Sequence, residues 1–112
     1  MKALLIPACG PPRTVTLPAG DAAFMRAVRA LAGTHCAERI QLTSRWEAWG
    51  DEDAAAAGKP PNPAATLIAR SFGFRFTLTG TIIITGLARQ RPASLSPGQA
   101  SAILARITAP PP

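Results

Sequence analysis

Two helix-start pairs, Asn62-Pro63 and Ser96-Pro97, bracket one apolar run, Thr81-Ile82-Ile83-Ile84-Thr85. An Asn or Ser side chain at an N-cap accepts a bond from a free helix N–H, and proline fits the first helical position. The isoleucine run is continuous rather than alternating, as expected of a strand buried on both faces or central in its sheet. The second half of the chain therefore reads as helix, buried strand, helix. The first helix covers residues 64–70. The last carries Ala100, Ile103, Leu104 and Ile107 at i, i+3, i+4 and i+7, the spacing of a core-facing stripe.

The first half fills in the sheet. Residues 3–6 read as a strand stopped by Pro7, with a turn at Cys9-Gly10-Pro11-Pro12 and a half-buried partner strand over 13–17. A helix over 21–32 follows, with Asp21 as N-cap, a core stripe of Phe24, Val28 and Leu31, and Gly33 as C-cap. Residues 36–43 and 44–49 read as strands, with Glu38 and Glu47 exposed. The opposite parity of Trp46 and Trp49 puts one in the core and the other in solvent. Gly50-Asp51-Glu52-Asp53 reads as a solvated acidic turn, and 54–57 carries one helical turn. Alternation over Phe74-Arg75-Phe76-Thr77-Leu78 predicts a further strand, and 86–92 a polar connection. These elements make an α+β domain. Its mostly antiparallel sheet has about five or six strands, with helices packed mainly on one face. Residues 1–108 form a single domain and 109–112 a proline-rich tail that frays.

The net charge is +6, and ten of the twelve basic residues are Arg. Arg suits flat, bidentate contact with phosphate or carboxylate. One reading is an anionic partner. The other is an Arg- and Ala-rich composition from GC-rich coding sequence, since the Arg residues are scattered. Leu4-Leu5-Ile6 is too short for the apolar core of a signal peptide, and no run reaches membrane-spanning length. Cys9 and Cys36 then read as free thiols of a reducing cytoplasm, though one disulfide between them is conceivable. No zinc spacing and no phosphate-binding glycine loop is present, so no cofactor is expected.

Catalysis has little to draw on. His35 and Cys36 are adjacent on a strand and point to opposite faces. A binding protein rather than an enzyme is the expectation. The candidate binding residues are Arg26 and Arg29, three apart on the first helix; Arg45, Trp46 and Trp49, an Arg beside aromatics able to stack on a base; and Asn62, at a helix start that welcomes an anion. For each, a structural role is the competing reading.

Three segments resemble one family, the DUF3846 domain of unknown function. They are the opening Met1-Lys2-Ala3-Leu4-Leu5-Ile6-Pro7-Ala8 with the later step from Val15-Thr16-Leu17 into Gly20-Asp21; Gly58-Lys59-Pro60-Pro61-Asn62-Pro63-Ala64-Ala65-Thr66; and Gly80-Thr81-Ile82-Ile83-Ile84-Thr85-Gly86 followed by Ser94-Leu95-Ser96. Lys59 stands where the family favours Leu. Gly33-Thr34-His35-Cys36 stands where it commonly has Gly-Gly-Tyr-Ile. The resemblance implies a small accessory protein of phages, plasmids and other mobile elements, and it supplies no catalytic residues. The expected function is non-catalytic binding of a host protein or a small anionic ligand. The alternative is a basic nucleic-acid-binding protein that binds weakly and without sequence preference.

Overall fold

Strand β5 (Ile82–Ala88) is the axis of the sheet in the computed structural model, which describes residues 1–108. The tail at 109–112 lies outside the described residues. β1 (Lys2–Ile6) pairs with one edge of β5 and β4 (Trp46–Asp51) with the other, both antiparallel. β2 (Arg13–Thr16) adds to β1 and β3 (Ala37–Gln41) to β4, giving the order β2-β1-β5-β4-β3. A sixth strand, β6 (Arg91–Ala93), pairs with the far end of β5. Gly86 is opposite both Trp46 and Ala93, so β6 lies on the edge that β1 has left. A Cβ at Gly86 would sit 2.9 Å from the Ala93 carbonyl oxygen, so only glycine allows this approach.

Alternation along β5 divides the core into two layers. Ile82 and Ile84 join Leu4, Ile6 and Ala48 under α2 (Pro63–Ser71) and α3 (Pro97–Thr108), through Ala65, Ile68, Ala69 and Ile103. Ile83 faces the other way, with Ala3, Leu17 and Trp49, under Phe24, Val28 and Ala32 of α1 (Asp21–Ala32). The described residues thus make an α+β fold, with an antiparallel six-stranded sheet and three helices, two of them on one face. The isoleucine run is central and covered on both sides, as its composition predicts.

The helix starts at Asn62 and Ser96 are as expected. The Asn62 side chain accepts from the Ala65 N–H, while Ser96 and Gln99 exchange bonds in a capping box. Asp21 differs. Gly20 holds the N-cap position without a side-chain bond, and Asp21 is the first helical residue. Its carboxylate still lies near the positive end of the helix dipole.

Two expected segments are corrected. Residues 74–78 are not a strand, because α2 claims their backbone. Leu78 donates to the Thr66 hydroxyl and accepts from the Asn62 N–H. Residues 86–92 are not a polar connection. β5 runs on to Ala88 and turns through Arg89 and Gln90 into β6. Both turn residues have positive φ, 52° and 62°, with neither glycine nor asparagine to accommodate it.

Asn62 does more than cap. It is 0% exposed, and its amide nitrogen donates to the carbonyls of Ile6 and Gly80, each at 2.9 Å. One side chain thereby ties the end of β1 and the approach to β5 to the start of α2. Asn62→Ala is expected to lower the unfolding free energy by about 3 kcal/mol: about 1 for the cap, the rest for stranding two buried carbonyls. Asn62→Asp keeps the capping oxygen but turns an acceptor on those carbonyls, and should be at least as damaging. Urea unfolding checks both. An Asp variant as stable as wild type would refute the cross-link.

Candidate functional site

α1 covers only part of its face of the sheet. Phe24 meets Trp49 edge-on, with ring centroids 5.2 Å apart. The Trp49 indole N–H donates to the Thr85 hydroxyl at 3.1 Å. Glu47 lies opposite Thr85 and Gln41 opposite Glu47, on the same face as Trp49, since residues two apart on a strand share a face. There the surface opens into a cleft of about 310 Å³ lined by Arg39, Gln41, Ser44, Glu47, Leu87 and Gln90.

The floor of this cleft is a buried carboxylate. Glu47 is 1% exposed; the Arg39 side chain beside it is 53% exposed. Arg39 Nε meets Glu47 Oε2 at 3.1 Å, while Oε1 is buried and has no hydrogen-bond partner among the described residues. Burial pushes the Glu47 carboxyl above its ordinary value, and the Arg39 charge offsets this only in part. A half-satisfied buried carboxylate is costly, and such costs concentrate where a protein binds or reacts. The expectation of an exposed Glu47 is therefore corrected.

The rim shows a second cost. Gln90, one of the lining residues, belongs to the positive-φ turn. Each such non-glycine residue costs roughly 1–2 kcal/mol. Leu87 N–H donates to the Arg45 carbonyl at 2.6 Å, holding the β5 end against the β3–β4 turn. Exposed Arg45 and Arg89, next in sequence to Ser44 and Gln90, thus belong to the same end of the sheet.

The remaining sequence candidates do not gather here. Asn62 is buried, with both the oxygen and the nitrogen of its side-chain amide bonded to the protein. Arg26 is exposed and Arg29 half-buried on α1, and neither lines the cleft. Trp49 is core. Trp46 is half-buried rather than in solvent: it packs on Phe72, with Arg106 over both rings. The two tryptophans lie on opposite faces and form no joint stacking platform. Asp51, expected in a solvated turn, is buried and bound at 2.7 Å by Lys59, whose ammonium also donates to the carbonyls of Ala32 and Gly33 at the end of α1. That Lys59 bond, with the Asp53 N–H and the Thr34 hydroxyl, holds the Asp51 carboxyl down at about 2. Cys9 and Cys36 are free and exposed. Among the described residues, no cluster of three or more His, Cys, Asp or Glu could hold a metal ion, and no helix is long and apolar enough to cross a membrane.

No protein-family model, curated protein or solved structure matches the chain.

The raised Glu47 pKa fixes a pH dependence. A group whose folded pKa lies above its unfolded value supports stability below the unfolded pKa, and that support is lost as pH rises through the folded value. Glu47→Gln should therefore melt higher than wild type at pH 7, the half-exposed ion pair it loses being worth little. The advantage should vanish below about pH 4, where the carboxyl is protonated in both states. Thermal melts across pH check this. A Gln variant less stable at pH 7 would mean that the folded protein favours the charged form.

Proposed function

We propose that this chain is a small, non-catalytic binding protein of the cytoplasm, an accessory protein of a phage or other mobile element as its DUF3846-like segments suggest. It acts by taking a small anionic ligand into the cleft at Glu47. The observation that carries this reading is the Arg39–Glu47 pair. Arg39 meets Glu47 through Nε and is itself 53% exposed, so its guanidinium can also take an anion from the cleft. The free Oε1 calls for an N–H donor. The fitting ligand carries both, an anionic group and an adjacent amine or amide. Arg45 and Arg89 add positive charge at the same end, favouring capture of an anion.

A binding role is favoured because the only two ionisable lining residues are bound to each other. A host protein is the other partner class that the sequence suggests. A small concave polar site fits a small molecule better than it fits a flat protein interface.

Thermal-shift measurements with amino acids, N-acyl amino acids and nucleoside phosphates test the reading, with dicarboxylates, which lack the N–H, as the comparison, alongside mass spectrometry of what purified protein releases on denaturation. At least one small anion is expected to raise the wild-type melting temperature in a concentration-dependent way. Arg39→Ala should abolish the shift. Arg39→Lys should not restore it, because a point charge cannot hold Glu47 and present a flat fork together. Equal shifts in wild type and Arg39→Ala, or none with any compound, would overturn the assignment.

A further inference from the structure

All six carboxylate side chains lie at or before Asp53, where six basic residues balance them. The whole net charge of +6 is therefore carried by residues 54–112. Much of the unbalanced charge sits around the end of α2, outside the cleft at Glu47. There Arg70, Gly73, Phe74 and Arg75 line a second cavity of about 390 Å³ with no acidic residue among them. Arg70 and Arg75 are exposed and, among the described residues, form no ion pair.

Aromatic rings are interleaved with this charge. Phe74 is half-buried and meets Phe76 edge-on at 5.4 Å; Phe76 is 43% exposed. Next to them Arg106 lies 3.9 Å over the Phe72 ring and donates to the Ser71 hydroxyl. The loop that carries these rings is held at both ends. Phe74 N–H donates to the Ala69 carbonyl, and Leu78 is fixed by Thr66 and Asn62. A loop held in this way presents its rings without further ordering on binding. On its far side Phe76 borders a small pocket containing Glu38 and Glu52, which limits the surface in that direction.

We propose that the Arg70–Phe74–Arg75 surface, with Arg106 beside it, binds single-stranded nucleic acid, stacking a base on the Phe74 ring and holding the flanking phosphates with Arg70 and Arg75. Open grooves that combine backbone-tracking positive charge with aromatic faces bind single strands without sequence preference. A duplex hides its base faces, and a bare polyanion offers none.

The test is fluorescence anisotropy with a labelled twelve-residue oligothymidine, titrated with the full chain at several salt concentrations. Micromolar binding that weakens steeply with salt is expected. Arg70→Ala with Arg75→Ala should flatten the salt dependence, by a slope of about 1.4 for two lost phosphate contacts. Phe74→Leu keeps an apolar side chain but loses the flat face, and should weaken binding about tenfold. Should Phe74→Leu melt early, the exposed Arg70 and Arg75 variants still decide the matter. Polyphosphate of equal charge, an acidic peptide and a duplex should all compete poorly. Thymidine monophosphate should compete poorly too, because a strand is held at several phosphates. Equal competition by polyphosphate or the peptide would reduce the surface to a general anion patch. Equal competition by the mononucleotide would make its ligand a free nucleotide. Either result, preference for the duplex, or unaltered binding by the Arg variant would overturn the proposal.

Discussion

A single buried amide holds this fold together. Asn62 starts α2 with its oxygen and with its nitrogen ties β1 to the segment entering β5, three regions far apart in sequence. Lys59, three residues earlier, does the equivalent for the other layer, closing the end of α1 and pairing with Asp51 at the end of β4. Pro60 and Pro61 between them restrict the backbone, so the two anchors keep a fixed spacing. The segment at 59–62 thus joins the helical layers on both faces through one end of the sheet.

The opposite end is built differently. Where β5 runs out past Thr85, the structure carries a buried carboxylate with one free oxygen and a tight turn of two residues with positive φ. Both raise the free energy of the folded state. A satisfied, close-packed end can support an unsatisfied one, and binding sites are drawn from the less stable parts of a structure. The polar lining of the cleft and the arginines near it belong to that second end.

What was legible in the sequence was local. The caps at Asn62 and Ser96 and the isoleucine run act through neighbours in the chain, so their chemistry shows without the fold. Alternation over 74–78 was misleading, because an extended loop bonded to a helix start has the same pattern as a strand. The expected and observed strand numbers agree partly by compensation: that segment drops out, while β6 enters through an Arg-Gln turn lacking the usual glycine or asparagine. The burial of Glu47 runs against composition, because carboxylates are seldom buried. Its shared parity with a core Trp49 was the available signal. The Asp51–Lys59 pair depends on tertiary contacts and leaves no local mark. Phe74 and Arg75 are neighbours in the sequence, but a strand would put them on opposite faces, and it is the loop that gathers them with Arg70.

The central claim is that the sheet end left open by α1 holds a buried, half-satisfied carboxylate as its ligand-facing group. The most direct measurement is the ¹³C NMR titration of the Glu47 side-chain carboxyl in the intact chain. The account predicts a midpoint above the ordinary 4.5, falling towards it when Leu87 and Gln90, which line the cleft, are replaced by smaller residues that admit water. A midpoint at or below 4.5 in the wild-type protein would show a solvated or fully paired carboxylate and contradict the account.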